Sequence, residues 1–147
     1  MNILSFNSSI GWITVSEENN LITSIKFGKS KNKGKNLNLI KIKKQIIEFI
    51  KGKRTKFSVK LNIEGSTLQK KIWKQLSNIS YGTTKTYGDI AKALLTSPRY
   101  VGNVCGQNNH LLVIPCHRVI RSDGKLGGFS GLGGVKLKKK LLELEKA

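Results

Sequence analysis

Apolar residues fall in three short runs over the first 28 residues of the chain, separated by two polar breaks. The runs contain Phe6, Ile13 and Ile25, and the breaks lie at residues 7–11 and 17–20. Short apolar runs that are bounded by Asn, Gly and Glu are typical of β-strands joined by turns. The pattern predicts a meander of three antiparallel strands.

A polar loop and one helix follow these strands. Residues 28–36 consist of Gly, Lys, Ser and Asn without an apolar side chain, which predicts a flexible loop. Apolar residues then recur at helical spacing from Leu39 to Ile50, and Gly52 ends the pattern. Because the helix can pack its apolar side on the sheet, residues 1–62 are predicted to form an α/β domain.

The second half of the chain, residues 63–147, is predicted to be mainly helical. Three helix starts carry polar capping residues: Ser66 with Gln69, Thr86 with Asp89, and Ser97 before Pro98. The third helix covers residues 98–107, and a last amphipathic helix begins near Lys136. Between them, an apolar run at residues 111–114, stopped by Pro115, predicts a buried strand. A helix, a short turn and a second helix form an arrangement that many proteins place in a DNA groove.

The chain carries a large excess of positive charge. It has 27 Lys and Arg against 8 Asp and Glu, a formal net charge of +19. A positive field of this strength favours a polyanionic partner such as a nucleic acid. A merely solvated surface is the alternative, because Lys, Asn and Ile are abundant along the whole chain.

Composition also bears on location and metal content. No apolar stretch is long enough to span a membrane and no secretory signal is visible, so a soluble cytoplasmic protein without a membrane partner is expected. The cysteines are Cys105 and Cys116, and the histidines are His110 and His117. They form neither a disulfide framework nor a full zinc ligand set, so we expect reduced thiols, no metal and no cofactor.

Cys116 is the candidate nucleophile. It ends the predicted strand, precedes His117 and Arg118, and lies before a glycine-rich stretch at residues 124–134. A thiol held at a pocket floor beside a base is a setting for nucleophilic catalysis. Inert packing is the alternative for any buried cysteine, and it is the interpretation that fits Cys105 within its helix.

An extended chain limits how His117 can serve Cys116. Neighbouring side chains on a strand point to opposite sides, so a water relay or a local twist is needed to connect the imidazole with the sulfur. The imidazole also needs a third group that sets its tautomer and balances its charge, and a carboxylate from the last helix is available.

The residues around Cys116 belong to a longer series of motifs. Their order is Tyr81-Gly82, Thr86-Tyr87-Gly88-Asp89-Ile90-Ala91, Ser97-Pro98-Arg99-Tyr100-Val101-Gly102-Asn103, Ile114-Pro115-Cys116-His117-Arg118-Val119-Ile120, Gly127-Gly128-Phe129-Ser130-Gly131 and Leu141-Leu142-Glu143-Leu144-Glu145. The series resembles the O6-alkylguanine-DNA alkyltransferases, or methylated-DNA–protein-cysteine methyltransferases, closely over residues 65–146 and in pattern over residues 1–60. The resemblance implies that the protein repairs DNA. It also implies a fold in which a ribonuclease-H-like first domain is followed by a winged-helix-like second domain with a helix-turn-helix.

The resemblance implies catalytic roles for five residues. Cys116 would attack the alkyl carbon on guanine O6 and keep the group as a thioether, once and irreversibly. His117 would take the thiol proton through a water, while Glu145 would orient and charge-balance the imidazole. Tyr87 would donate to guanine N3, and Asn108 would brace the turn beside the cysteine.

The resemblance also implies how the lesion is reached in double-stranded DNA. The helix at residues 98–107 would enter the minor groove. Arg99 would fill the space left by the flipped base, and Gly102 would let the helix approach the DNA backbone closely. The predicted substrate-binding set is Arg99, Tyr100, Gly102, Cys105, Val119, Ser130 and Gly131.

Within the pocket, the Ser130 N–H would face guanine O6, and the carbonyls of Cys116 and Val119 would accept from the exocyclic amine. Cys105 falls at an apolar wall position, where its small side chain affects which alkyl groups fit. O4-alkylthymine stays open as a second substrate. A monomer is expected, without the zinc ligands that some members carry in the first domain.

Three other functions fit parts of the sequence. An alkyltransferase-like lesion sensor binds damaged DNA without chemistry, but in that class the cysteine is replaced, usually by tryptophan. A thiol-based helix-turn-helix regulator would need a partner activation domain, and none is visible. A cysteine-histidine hydrolase would need an oxyanion hole and turnover.

Overall fold

A three-stranded sheet and one helix form the centre of the first compact unit. The computed structural model describes residues 1–128 and 134–146. The strands, antiparallel and in chain order across the sheet, are β1 (Asn2–Ser8), β2 (Gly11–Glu18) and β3 (Leu21–Phe27). The helix that follows is α1 (Leu37–Ile50). The predicted strands and helix are therefore confirmed.

The turn between β2 and β3 shows the local physics of this sheet. Asn19 and Asn20 both have positive φ, 53° and 65°. Tight hairpin turns require this conformation, and asparagine tolerates it better than most residues. The register shifts between Ser16 and Glu17, and the buried Glu17 accepts hydrogen bonds from Asn2 Nδ2 and the Asn20 N–H, both at 2.8 Å. The carboxylate of Glu17, at the register shift, therefore has hydrogen-bond donors within the first unit.

The apolar core of this unit is formed by α1 and the sheet. On α1, the fully buried side chains Ile42, Ile46 and Phe49 repeat at helical spacing, so they share one face. On β2, Ile13 and Val15 are also fully buried. The helix begins at a capping residue, Asn36, whose side chain accepts from the Asn38 N–H at 2.7 Å.

Both edges of the sheet carry isolated backbone bridges. Ile3 of β1 exchanges two backbone hydrogen bonds with Lys33, at 2.7 and 2.9 Å, and residues 28–36 otherwise form the predicted loop between β3 and α1. On the other edge, the N–H groups of Ile22 and Ile25 donate to the carbonyls of Lys60 and Asn109, at 2.9 and 2.8 Å. Accordingly, Asn109–Val113 belongs to the same unit as Met1–Ile63.

The second unit comprises Glu64–Asn108 and the chain from Ile114 onward, and it is mainly helical. Its elements are α2 (Thr67–Ser77), β4 (Lys85–Thr86), α3 (Tyr87–Ala93), α4 (Pro98–Gly106), β5 (Val119–Ile120) and α5 (Gly134–Lys146). The short strands β4 and β5 pair in parallel. The helical second domain is confirmed, and α3, a turn and α4 follow one another as predicted. No helix within the described residues is long and apolar enough to cross a bilayer.

The helix starts of the second unit follow the predicted capping chemistry. Ser66 accepts from the Gln69 N–H at 3.1 Å while the Gln69 side chain accepts from the Ser66 N–H at 2.7 Å. Thr86 and Asp89 form the same reciprocal pair, at 3.0 and 2.9 Å. Each pair satisfies two backbone donors that the first helical turn leaves without partners.

The chain before Cys116 is turned, and the predicted strand at residues 111–114 is wrong. Leu112 has a φ of 73°, and the Val113 N–H donates to the Leu111 carbonyl at 2.9 Å. A buried turn shows the same continuous apolar run as a central strand, so the pattern cannot separate them. Cys116 instead begins a single 3-10 turn, Cys116–Arg118.

Burial on α1 generates a stability prediction. Replacement of the fully buried Ile42 by alanine is expected to lower the free energy of unfolding by about 2–5 kcal/mol, because it removes buried methyl groups and leaves a cavity. The matched control is Ile40→Ala on the same helix, where the side chain is 58% exposed and the expected loss is within about 0.5 kcal/mol. Urea unfolding followed by circular dichroism measures both. Equal losses would contradict this assignment of the core.

Candidate active site

Cys116 lines a cavity of about 440 Å³ in the second unit. Its side chain is only 4% exposed, so the sulfur faces this cavity and not the open surface. Gly102, Cys105 and Gly106 of α4 form one part of the wall, and residues 127–128, both glycine, form another. Small residues therefore leave space beside the thiol.

Asn108 holds the chain that presents the thiol. Its buried Nδ2 donates to the Ile114 carbonyl at 2.8 Å, and its side chain also hydrogen-bonds Cys116. The Cys116 N–H donates to the same Ile114 carbonyl at 2.8 Å. These bonds cross-link the turn on both sides of Pro115.

Glu145 of α5 joins His117 and Arg118 in one buried network. His117 Nε2 lies 2.6 Å from Oε2 of Glu145. Arg118 donates from Nε to Oε1 and from Nη2 to Oε2, both at 2.9 Å. The Gly82 N–H adds a bond to Oε1 at 3.2 Å. The three side chains are between 0 and 6% exposed, so the carboxylate is neutralised by protein groups and not by solvent.

These hydrogen bonds determine the tautomer of His117. Burial by itself raises the pKa of Glu145, but the bonds from His117 and Arg118 outweigh it and lower that pKa to about 2. Because an ionised carboxylate only accepts, Nε2 of His117 must carry the proton between them. Nδ1 is then an acceptor, and it has no hydrogen-bond partner among the described residues.

The thiol and the imidazole are both neutral in this environment. Burial raises the pKa of Cys116, and the hydrogen bond from Asn108 opposes this only in part. Burial likewise lowers the pKa of His117, against the opposing effect of Glu145. A protonated thiol next in sequence to a base with an available lone pair suits proton transfer during reaction, not a thiolate formed in advance. The 3-10 turn Cys116–Arg118 replaces the extended chain in which neighbouring side chains would point to opposite sides.

Tyr87 and Lys138 approach each other at the same cavity. Tyr87 lines it, and its hydroxyl accepts from Lys138 Nζ at 3.3 Å. Lys138 has no exposed surface and also donates to the carbonyls of Leu126 and Gly128, at 2.5 and 3.2 Å. Burial raises the pKa of Tyr87 to about 12, so its hydroxyl is protonated at neutral pH.

Neither the place of Lys138 in the site nor a role for Arg118 was predicted from the sequence. Lys138 carries a signal, since it shares the buried stripe of α5 with Leu141 and Glu145, three and seven residues further on. A lysine inside an apolar stripe needs internal partners. Arg118 carries a weaker signal, because it lies between the apolar run at residues 111–114 and Val119-Ile120, but a single arginine at the end of such a run is more often exposed.

The other predicted site residues lie in several places. Arg99 is exposed and Tyr100 half-buried on α4, while Val119 is fully buried in β5. Ser130 and Gly131 lie outside the described residues. Tyr87, Gly102 and Cys105 are thus the predicted residues that share the cavity with Cys116. Within residues 1–128 and 134–146, no group of three or more His, Cys, Asp or Glu could hold a metal ion.

The low pKa of Glu145 generates a prediction about acid stability. A carboxyl whose folded pKa is about 2 stabilises the fold above its unfolded pKa, near 4.5, and loses that contribution as the pH falls from about 4.5 to about 2. Glu145→Gln is therefore expected to be less stable than wild type at neutral pH, by up to about 3 kcal/mol from this linkage. The difference should narrow through that pH window in urea unfolding experiments.

The matched control is Glu143→Gln, on the same helix, where the carboxylate is 60% exposed and 4.0 Å from Lys139. An exposed pair of this kind contributes about 0–1 kcal/mol, so this variant should follow wild type at every pH. A constant deficit for Glu145→Gln from neutral to acid pH would contradict the network.

Comparison with known proteins agrees with this arrangement. Residues 67–147 match the family model described as "6-O-methylguanine DNA methyltransferase, DNA binding domain", and residues 4–63 match "6-O-methylguanine DNA methyltransferase, ribonuclease-like domain". Two relatives named methylated-DNA–protein-cysteine methyltransferase come from Metallosphaera sedula and Sulfolobus acidocaldarius. Each is 37% identical, over 96% and 95% of this chain and over 90% of its own length.

The fold is also that of a solved relative. The crystal structure of Mycobacterium tuberculosis OGT in complex with DNA is 32% identical, has a TM-score of 0.89, and covers 99% of this chain and 93% of its own. The resemblance found in the motifs is therefore confirmed, together with the enzyme class that it implied. The chain belongs to the O6-methylguanine DNA methyltransferase family of DNA repair enzymes, which transfer an alkyl group from DNA to a cysteine of their own.

Proposed function

We propose that this protein repairs O6-alkylguanine in double-stranded DNA by transferring the alkyl group, once per chain and irreversibly, to Cys116. The observation that carries the proposal is the position of Cys116, in a cavity lined by small residues and next in sequence to the buried His117–Glu145 pair. Cys105 lines the same cavity, but no base adjoins it in sequence.

The cavity suits an alkylated purine in size and character. Its volume of about 440 Å³ lies within the range of pockets that enclose small molecules, about 300–1,000 Å³. Its lining is mostly apolar, which favours an aromatic base and an alkyl group over water. Because the side chain of Cys105 is small, it leaves more space in the cavity next to the acceptor sulfur.

Proton transfer to His117 accompanies the reaction. The thiol proton passes through a bridging water to Nδ1 of His117, the Sγ–C bond forms and the C–O6 bond breaks. The new imidazolium donates from Nε2 to Glu145, whose ionised carboxylate balances its charge. The electron pair of the broken bond leaves with guanine. Water at neutral pH does not cleave the C–S bond of the thioether that forms on Cys116, so each chain reacts once.

The departing guanine gains negative charge and needs hydrogen-bond donors. Because the Tyr87 hydroxyl accepts from Lys138, its own proton is available for guanine N3. In the proposed pocket the Ser130 N–H faces O6, and the carbonyls of Cys116 and Val119 accept from the exocyclic amine. These contacts stabilise the transition state more than the intact lesion.

DNA is bound in the minor groove through α4. Arg99, exposed near the start of that helix, occupies the space that the flipped base leaves, and this offsets part of an unstacking cost of about a few kcal/mol. Gly102 and Tyr100 follow on the same helix. The net charge of +19 supplies phosphate contacts without sequence preference, and affinity is expected to fall steeply with salt.

A monomer suffices for this chemistry, because the network and the cavity wall are built from one chain. The three alternatives are less well supported. A lesion sensor has no use for a thiol in the cavity, and a hydrolase or a regulator is not favoured because both matching family models describe methyltransferase domains.

Transfer of labelled methyl groups tests the proposal. Duplex DNA that contains radiolabelled O6-methylguanine is expected to pass at most one equivalent of label to each chain, located on Cys116 by peptide mapping. Cys116→Ala is expected to bind the lesion DNA and take up no label. Cys105→Ala is the matched control and should still be labelled, because its thiol is not the acceptor. Label on another residue, or repeated turnover, would refute the proposal.

A second prediction concerns Arg99. Arg99→Ala is expected to slow repair of duplex DNA by at least tenfold and to leave the reaction with free O6-benzylguanine nearly unchanged, because the free base needs no flipping. Arg54→Ala removes the same charge from the first unit and serves as the control. Single-turnover rates at saturating DNA measure both variants. Equal losses on the two substrates would remove the base-flipping role.

A further inference from the structure

Arg118 is a buried charged group of the second unit that the proposed mechanism does not use. Its side chain is 6% exposed, and its donors are directed to protein acceptors. Nε and Nη2 bind the two oxygens of Glu145, at 2.9 Å each, and Nη1 donates to the Ile79 carbonyl at 2.7 Å. The guanidinium also lies over the Tyr81 ring, 5.6 Å from its centroid. A group held by this many contacts has one orientation.

The carboxylate of Glu145 accepts hydrogen bonds from both Arg118 and His117, and this division determines the net charge of the three buried side chains. Arg118 engages both carboxylate oxygens, whereas His117 reaches only Oε2. One carboxylate and one guanidinium already sum to zero charge, so the buried group is neutral while the imidazole is neutral. Without Arg118, the buried carboxylate would be compensated by a proton on His117. An imidazolium has no lone pair and cannot accept the thiol proton.

We propose that Arg118 is a positioning residue for alkyl transfer: by binding both oxygens of Glu145 it neutralises the carboxylate, and so keeps His117 an uncharged base with Nδ1 available. The inference rests on the proposed function of Cys116. It assigns to the third residue of the Cys-His-Arg turn an electrostatic task in the reaction, in addition to packing.

The other charged or titratable groups around His117 do not replace Arg118. From α5, Lys138 faces the site but donates to Tyr87 and to two backbone carbonyls. From the chain after α2, Tyr81 directs its hydroxyl to the Leu144 carbonyl at 3.4 Å. Cys116, on the same turn, is a protonated thiol. Arg118 also lowers the pKa of His117, after the larger effect of burial and against the effect of Glu145.

The pH profile of the reaction tests this role. Excess free O6-benzylguanine is reacted with full-length wild type and with Arg118→Met between about pH 5.5 and pH 9, the range in which imidazoles titrate. Benzylated protein is counted by mass spectrometry, and the free base avoids any change in DNA affinity. For Arg118→Met, the pH of half-maximal rate should rise by about 1–3 units, the usual effect of losing one close charge, with the rate recovering at high pH.

Arg54→Met is the matched control. It removes an arginine that binds a glutamate, Glu48 at 3.1 Å, in the first unit. Its pH profile should equal that of wild type. If Arg118→Met lowers the rate by the same factor at every pH, Arg118 is only structural and the inference fails. If wild type is not benzylated, the same pH series is run with duplex DNA that contains radiolabelled O6-methylguanine. Absence of label on wild type with that DNA as well would refute the proposed function, so the two failures are distinguishable.

A second measurement decides the question if Arg118→Met does not fold. Nitrogen-15 NMR of wild type should show His117 as the neutral tautomer protonated on Nε2 at neutral pH. In Arg118→Gln, which keeps a hydrogen-bond donor but carries no charge, the titration midpoint of His117 should be higher. A charged His117 in wild type at neutral pH, or the same midpoint in both proteins, would overturn the inference.

Discussion

The buried carboxylate of Glu145 is the group on which the site depends. An ionised carboxylate away from water is strongly unfavourable unless its oxygens are bound, and here His117, Arg118 and the Gly82 N–H bind them. The same bonds connect the end of α5 to the turn that carries Cys116. One requirement, satisfaction of a buried charge, therefore produces both the local fold and the tautomer of the base.

Reactivity in this site does not come from a thiol with a low pKa. Many reactive cysteines are thiolates stabilised by nearby positive charge. Here burial raises the pKa of Cys116 and lowers that of His117, so both are neutral at rest. In the proposed mechanism, the thiolate forms only when an electrophile lies in the cavity and the thiol proton can move to His117. For a protein that reacts once, a protonated resting thiol prevents loss of the acceptor to other electrophiles.

Elements that depend on neighbours along the chain were predictable. Ser66 and Thr86 cap helices because their partners lie three residues away, and the meander follows from short apolar runs. The prediction failed at residues 111–114, where a turn has the apolar composition of a strand. This segment is fixed by a contact far along the chain, because the Leu111 N–H donates to the Ile25 carbonyl at 3.1 Å.

The sequence by itself determined the family, and it is sufficient to propose Cys116 as the nucleophile and His117 as the base, because these residues and the surrounding motifs are local and ordered. Only the tertiary structure decided how they work together. Glu145 meets His117 and Arg118 across 28 and 27 residues, and Lys138 meets Tyr87 across 51. The charge state of His117 depends on these contacts, since the energy of a charge in a protein is set by the groups and the solvent around it in space and not by its neighbours in sequence.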